Sequence, residues 1–334
     1  MDENVKKRNE CLAQTVIKGL QSRNMSGYYA PSKEAALKQA LELIPQGSSI
    51  AMGGCMSAHE IGLINALKAG NYNYIDRYKM EPREGLMAAY NAEKTIEQAI
   101  NSVLSQTYTN FELLVVNDCS TDRTAELVKS IAAKDSRVRL ISNVKNNGVS
   151  YTRKHGLEEA KGSWIAILDS DDAWAPEKLE KQIDFQRRTN ADLLFTGSAF
   201  MDSEGQSIGW YLHAPAEVTY RQLLKQNVLS NSSALVRKEL YAKHYAVGDD
   251  MHEDFAIWLS ILKEGKKAYG VDEPLLIYRI AKSSKSGNKI KAAKMNWNTY
   301  RYVGLNPIEA SYYECWYMVK GFLKYRNIKD SKKK

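Results

Sequence analysis

The sequence predicts an α/β protein, with a mostly parallel sheet covered by helices on both faces and a small α/β fragment before it. Strands and helices alternate regularly from about residue 86, and two of these strands are apolar throughout, as buried parallel strands are. A separate strand–turn–helix pattern near the N-terminus predicts the fragment. We therefore expect domains at 1–80 and 81–305, then an aromatic and basic segment at 306–334.

Composition places the chain among folded proteins. Of 334 residues, 44% are hydrophobic and 26% are charged, which excludes global disorder. The net charge of +8 suits an acidic partner such as a phosphorylated substrate or an anionic membrane. Its basic residues form no recognisable nucleic-acid reader motif, so we expect no nucleic acid. The four cysteines are scattered, the N-terminus is polar and no apolar run approaches about 20 residues, so we expect a cytoplasmic protein.

The N-terminal fragment contains predicted helices at 3–23 and 32–44 and a short strand at 47–52. A glycine pair, Gly53-Gly54, follows the strand, and 57–60 reads as a capping box at a helix start. A glycine turn before a helix can bind an anion through free backbone N–H groups, but a tight turn without a ligand is the alternative.

Residues 9–78 resemble the first part of the LUD domain of lactate-utilisation proteins. The resemblance rests on the phrases GSSIAMGGCMSAHEIGL and YNYIDRY. Only a fragment of that domain appears before the sequence changes character at 79–84, so the resemblance carries no function to this chain.

The larger domain begins with a helix whose apolar residues fall on one face between 96 and 104. We predict the elements that follow as a strand at 113–116, a helix at 121–133, a strand at 138–141, a helix at 149–160 and a strand at 164–168. A helix then opens at Pro176, because proline favours the first helical position.

Two apolar strands end in acidic residues, at Asp118 and at the run Asp169-Ser170-Asp171-Asp172. Ligands of open α/β sheets bind beyond the carboxyl ends of the strands. A single acid there is more often a helix cap or a solvated side chain. Three carboxylates within four residues repel one another, however, and such a group needs a counter-charge; Asp169 and Asp171 can offer hard oxygen ligands to Mg²⁺ or Mn²⁺.

Three phrases together resemble family 2 glycosyltransferases of the GT-A fold over about residues 86–330. They read AAYNAEKTIEQAINSVLSQTYTNFELLVVNDCSTDRT, NNGVSYTRKHGLEEAKGSWIAILDSDDAWAPEKLEKQ and HEDFAIWLSIL. The resemblance implies a nucleotide-sugar donor, a UDP-sugar in particular, and a saccharide or lipid-linked acceptor in cell-surface polysaccharide or glycolipid synthesis. It also implies transfer with inversion.

The resemblance also implies roles for individual residues. The donor-binding positions are Ala89, Tyr90, Asn91, Asp118, Asn147, Gly148, Arg153, Asp169 and Ser170. Asp118 would bind the base, and Asp169 and Asp171 form the DxD motif that binds Mn²⁺ or Mg²⁺. Asp254, in the catalytic pair Glu253-Asp254, matches the general base. Without the resemblance, this pair would read as the acidic first turn of a helix, which the helix dipole favours.

The sequence departs from the family in two places. Family members begin with a strongly apolar strand, whereas only residues 86–89 here suit a buried strand and Pro82 limits pairing upstream. We therefore expect an incomplete first strand and weakened activity. Some relatives place a metal-binding histidine after the Tyr278-Arg279 pair, whereas Ile280 and Ala281 follow here.

The end of the chain has two distinctive segments. Residues 278–294 are basic and serine-rich, which suits either a mobile flap over a diphosphate or a solvated loop. Residues 306–334 interleave aromatic and basic side chains, which suits contact with an anionic membrane at its inner face. A helix packed on the catalytic domain, with a solvated tail, is the alternative.

Two other functions use similar features. A sugar-phosphate nucleotidyltransferase also binds a nucleotide and a metal on an α/β sheet, but it needs a glycine-rich basic loop at the first strand, and none precedes Tyr90. A catalytically impaired nucleotide- or anion-binding module built around Gly53-Gly54 is the non-enzymatic alternative.

Overall fold

A computed structural model describes residues 3–51, 56–75, 83–280 and 289–331. The chain divides into two compact units, Met1–Met80 and Glu81–Lys334. None of the helices in the described part of the chain is both long and apolar enough to cross a membrane.

The first unit is a small α/β structure. Two short strands pair in parallel, and Leu63 and Leu67 form a small core with partly buried residues such as Leu37 and Leu41. Its elements are α1 Glu3–Gln21, α2 Lys33–Leu43, β1 Ser49–Ala51, α3 Met56–Glu60, α4 Leu63–Ala69 and β2 Asn73–Ile75.

The predicted capping box at 57–60 is wrong. Ser57 lies inside α3. The helical backbone is interrupted at Gly62, whose φ of +77° is a left-handed conformation that favours glycine. Gly62 thus separates α3 from α4, where the sequence suggested one helix. The Gly53-Gly54 turn lies outside the described residues, so anion binding there stays a hypothesis.

The second unit contains a ten-stranded mixed sheet in the order β10-β12-β8-β11-β6-β3-β4-β5, with β7 paired to β12 and β9 to β8. Its strands are β3 Arg83–Ala89, β4 Phe111–Asn117, β5 Val138–Ser142, β6 Trp164–Ile167, β7 Ala173–Trp174, β8 Leu193–Met201, β9 Ser207–Leu212, β10 Glu217–Val218, β11 Leu235–Arg237 and β12 Ala268–Arg279. Its helices are α5 Ile96–Leu104, α6 Thr124–Ala132, α7 Val149–Glu159, α8 Lys178–Thr189, α9 Tyr220–Lys225, α10 Lys238–Lys243, α11 Glu253–Lys263, α12 Lys289–Tyr302 and α13 Pro307–Ser331.

The predicted fold class is confirmed in this unit. Strands β6, β3, β4 and β5 are parallel neighbours, and alternate residues of each strand face opposite helical layers. Leu114 and Val116 pack in one buried cluster with α7 and α11, whereas Leu113 and Val115 pack in the other with α5, α6 and α8. The loops that follow β4 and β6 consequently lie at the same edge of the sheet.

The expectation of an incomplete first strand is wrong. Strand β3 runs over all seven residues from Arg83 to Ala89 and lies centrally, bonded to β4 on one side and to β6 on the other. Gly85, Leu86 and Met87 are all buried. Backbone pairing to two neighbours extends the strand upstream of its apolar residues, because a central parallel position satisfies backbone groups whatever the side chains are.

Helix α7 approaches the sheet unusually closely at Gly156. A Cβ atom built on this glycine would lie 2.1 Å from Leu86 Cδ1 and 2.9 Å from Val116 Cγ2. Only glycine fits this helix–strand contact without displacement of core side chains. The close approach sets the position of the polar residues on the N-terminal half of α7.

Candidate active site

A buried arginine connects two acidic segments that are far apart in the sequence. Arg153, on α7, forms ion pairs with Asp169, beyond the end of β6, and with Glu253, the first residue of α11. Arg153 and Glu253 are buried, and Asp169 is partly buried. A buried ion pair of this kind is sensitive to the loss of either partner, because the remaining charge is left without compensation.

Asp254 lies beside this network and differs from Glu253 in its contacts. Within the described part of the chain, the Asp254 carboxylate forms no ion pair. Burial raises its pKa to about 7, and the adjacent charge of Glu253 adds to the effect, whereas Arg153 opposes it. A carboxyl group that titrates near neutrality can accept a proton at working pH, as a general base must.

The acidic loop after β6 has a buried and an exposed side. Asp172 is buried, and its Oδ1 atom accepts a 2.9 Å hydrogen bond from the backbone N–H of Arg279. Burial, and then the charges of Asp169 and Asp171, raise the pKa of Asp172 well above its usual range. Asp171 is exposed, and partial loss of hydration together with the Asp169 charge raises its pKa as well. These acids repel one another, so the loop attracts cations.

Arg279, at the end of β12, anchors this loop although sequence reasoning gave it no site role. Its Nε donates to the Asp171 carbonyl at 2.8 Å, and Nη1 donates to the carbonyls of Asp202 and Ser203, each at 3.1 Å. Nη2 bonds Gln98 on α5. Its place in the Tyr278-Arg279 pair was the one available signal, because contacts with carbonyl groups produce no recognisable sequence pattern.

Asp118 is buried beyond β4 and holds the turn that leads into α7. Its carboxylate accepts hydrogen bonds from Asn143 Nδ2 at 2.7 Å and from the backbone N–H groups of Asn147 and Gly148, each at 2.9 Å. Gly148 has φ of +84°, which allows the sharp entry into the helix. Asn143 was not predicted, and it also donates to Thr152 Oγ1 at 3.0 Å.

The loop after β3 meets the loop after β4. Ala89 O accepts from the backbone N–H of Asp118 at 2.8 Å. Asn91, at φ of +48°, donates its backbone N–H to Ser120 Oγ at 3.0 Å and accepts from Thr121 N–H at 2.9 Å. Tyr90 is 51% exposed between these contacts. The loop is therefore ordered while the tyrosine ring stays accessible to a ligand.

A pocket of about 450 Å³ opens beside the Asp118 turn. Its lining includes Asn143, Asn147, Tyr151 and His155, and His155 Nδ1 lies 2.7 Å from Asn143 Oδ1. Helix α7 contributes to both features, since Tyr151 and His155 line the pocket and Arg153 forms the ion pairs.

The predicted site residues thus fall into two directly bonded groups. One group contains Asp169, Glu253 and Arg153, and its charges shift the pKa values of Asp254 and Asp171. The other group is Ala89, Asp118, Asn147 and Gly148. Helix α7 joins the two groups, since Gly148 precedes it and Arg153 lies in its second turn.

The site offers part of the ligand set that a divalent cation needs. Among the residues that the structure describes, no group of three or more His, Cys, Asp or Glu side chains is arranged to hold a metal ion. Asp169 and Asp171 offer two carboxylates in an acidic loop, and Mg²⁺ or Mn²⁺ can bind two carboxylates when a diphosphate supplies further oxygens. The donor set therefore fits a cation that arrives with a diphosphate.

Comparison with known proteins finds two matching families. The model of "Glycosyl transferase family 2" matches residues 86–244, and the model of the LUD domain matches residues 13–112. The Escherichia coli protein named UDP-Glc:alpha-D-GlcNAc-diphosphoundecaprenol beta-1,3-glucosyltransferase WfgD is 35% identical over 250 residues, which cover 74% of this chain and 97% of that protein.

Two solved structures are similar in fold. S. aureus TarS in complex with UDP-GlcNAc superposes with a TM-score of 0.56 at 18% identity, over 70% of each chain. The mannosyltransferase PcManGT from Pyrobaculum calidifontis, in complex with GDP-Man and Mn²⁺, superposes with a TM-score of 0.54 at 16% identity, over 78% of each chain. At this level of identity the similarity supports the fold alone.

Proposed function

This chain belongs to glycosyl transferase family 2, and we propose that it transfers a sugar from a UDP-sugar to a hydroxyl group, with inversion at the anomeric carbon. The acceptor is a saccharide or lipid-linked saccharide in cell-surface polysaccharide or glycolipid synthesis. The observation that carries the proposal is the Arg153 network, which holds Asp169 and Glu253 together next to an Asp254 with a pKa of about 7.

Asp254 acts as the general base. Its carboxylate takes the proton of the acceptor hydroxyl while that oxygen forms a bond to the anomeric carbon, and the bond from this carbon to the diphosphate oxygen breaks. The electron pair of the broken bond leaves with UDP. Glu253 is a positioning residue, because its carboxylate is ion-paired with Arg153 and is buried.

Asp169 and Asp171 would hold Mn²⁺ or Mg²⁺ together with oxygens of the donor diphosphate. When bound, the cation supplies Lewis-acid stabilisation of the charge that develops on the departing diphosphate. The acidic character of the loop supports this role. The mannosyltransferase PcManGT, which is similar in fold, was solved in complex with GDP-Man and Mn²⁺.

The Asp118 group orients the nucleoside. Its hydrogen bonds fix the backbone of Asn147 and Gly148 and join this turn to the Ala89 loop, beside the exposed ring of Tyr90. Tyr90, Asn91 and Ser170 contribute donor contacts in this proposal. UDP is the nucleotide in this proposal, since the name of the 35%-identical relative specifies UDP-Glc.

A thermal-shift screen of nucleoside diphosphates with and without Mn²⁺ tests the proposal. Saturation at about 100 times Kd stabilises a protein by about 2.7 kcal/mol, so UDP with Mn²⁺ should raise Tm by several degrees. Asp171→Asn should reduce the Mn²⁺-dependent part, whereas Asp184→Asn, on the exposed surface of α8, should not. A protein whose Tm responds to no nucleotide in either condition would contradict the proposed function.

We also propose a cytoplasmic enzyme that contacts the inner face of the membrane through α13. Ile308, Tyr312, Trp316 and Val319 recur at helical spacing and are all exposed. Basic residues dominate the sequence that follows, which favours anionic lipid headgroups. Deletion of residues 306–334 should abolish co-sedimentation with vesicles that contain anionic lipid. Equal binding by the full and the shortened chains would exclude α13 as the contact.

A further inference from the structure

A tightly held turn lies against the acidic loop. The 3₁₀ turn Asn231–Ser233 precedes β11 and receives three hydrogen bonds from its surroundings. Trp174 Nε1 donates to Ser232 O at 2.7 Å, Gln182 Nε2 donates to Ser233 O at 3.0 Å, and Asp169 N–H donates to Ser232 Oγ at 3.1 Å. The backbone of this turn therefore has a fixed position relative to the proposed diphosphate-binding loop.

Strand pairing places the turn beside the acidic loop. Strand β11 is antiparallel to β6, with Leu235 opposite Ala166, so the residues before β11 lie near the residues after β6. The hydrogen bond from Asp169 N–H to Ser232 Oγ joins the two segments directly, and Asn231 immediately precedes Ser232. Asn231 is thus the neighbour of the loop that carries Asp169 and Asp171.

The Asn231 side chain is buried without hydrogen bonds. It is 7% exposed, and among the described residues neither Nδ2 nor Oδ1 has a partner. A buried amide that makes no hydrogen bond destabilises a fold, and native proteins retain few of them. The contrast with the satisfied backbone of the same turn indicates that the amide is kept for a ligand.

We propose that Asn231 recognises a hydroxyl group of the donor sugar and thereby determines donor specificity. This inference rests on the proposed function. If Asp169 and Asp171 hold the cation that binds the diphosphate, the sugar bonded to that diphosphate lies near the turn that contains Asn231. An amide both donates and accepts, which matches a hydroxyl group better than it matches a phosphate oxygen, since phosphate only accepts.

Asn231→Leu tests the inference, because leucine has nearly the same volume and no polar atoms. Three results are expected. The ligand-free Tm rises, since an unsatisfied amide has been removed. Binding of UDP with Mn²⁺ is unchanged within about twofold. The wild type binds UDP-glucose at least about 10-fold more tightly than one of its monodeoxy analogues, and the variant binds the two equally.

Asn296→Leu is the matched control. Asn296 is also buried, and its Oδ1 likewise has no partner among the described residues, but its Nδ2 donates to Glu314 at 2.7 Å, so its replacement should lower Tm and leave the preference for UDP-glucose intact. A lower Tm in Asn231→Leu would overturn the inference. A variant that keeps the preference for UDP-glucose, or a wild type that lacks this preference, would overturn it as well. Failure of the wild type to bind UDP itself would overturn the proposed function as well, and the UDP measurement separates the two cases.

Discussion

Asp254→Asn should abolish turnover and at the same time stabilise the protein. The wild-type carboxyl titrates at about 7 in the folded protein against an ordinary value of 3.8. A displacement of this size corresponds to about 4 kcal/mol, an upper limit for a group in a coupled acidic cluster. Asparagine, like the protonated acid, carries no charge. The variant therefore avoids the free-energy cost of the ionised carboxylate in the folded protein.

The sign of the pH dependence follows from which state binds the proton. Below about pH 4 the carboxyl is protonated in both states and the variant has no advantage. Between about pH 4 and 7 the unfolded wild type loses its proton while the folded one keeps it, so wild-type stability falls relative to the variant as pH rises. Above about pH 7 the difference is constant and largest.

Two measurements check this prediction. Urea unfolding of wild type and variant from pH 4 to pH 8.5 gives the stability difference, and the pH profile of kcat/KM of the wild type should rise through about pH 7 as the base loses its proton. Loss of the base should reduce kcat by about 10²–10⁴. Glu97→Gln is the control, because it removes an exposed acid from the first turn of α5 and should lower stability slightly. A variant less stable than wild type at pH 8, or one with full turnover, would refute the reasoning.

Two further substitutions test the packing and charges of α7. Arg153→Met should destabilise the protein by about 3–5 kcal/mol at pH 8 in urea unfolding, because Asp169 and Glu253 lose their buried counter-charge. A variant as stable as the wild type would contradict the assignment of Arg153 as the counter-charge of both acids. Gly156→Ala should lower the free energy of unfolding by about 1–3 kcal/mol, since the added Cβ would lie 2.1 Å from Leu86 Cδ1. An unchanged urea midpoint would show that the core side chains at this contact can move aside.

The parallel half of the fold was predictable because its signals are local. Residues 113–116 of β4 and the whole of β6 are apolar, and helices α5 and α6 show a clear apolar face, so periodicity alone locates them. The upstream half of β3 was not predictable, because Arg83 and Glu84 join the sheet through backbone pairing. Strands β7 and β10 were not predictable either, since they contain two residues each and are too short to show a period.

The site shows the same division between residue types and contacts. Carboxylates at strand ends, and the resemblance of the motifs that contain them, identified Asp118, Asp169 and Asp254. Arg153, Asn147 and Gly148, which contact these acids, were predicted through the same resemblance, whereas Arg279 and Asn143 were not. Arg279 acts through carbonyl groups, and Asn143 acts through an amide in an ordinary polar loop. Such contacts depend on the tertiary arrangement and leave no local pattern.

Contacts at three successive positions along its length hold helix α7 in place. Asp118 binds the turn at its start, Arg153 bonds two acidic segments in its second turn, and Gly156 lies directly on Leu86. A helix held in this way has little freedom to slide or rotate. The nucleoside and diphosphate halves of the proposed site therefore keep their spacing before any donor arrives. Donor capture on this side of the sheet then requires little reorganisation, and the entropy of ordering these groups is lost during folding, before catalysis begins.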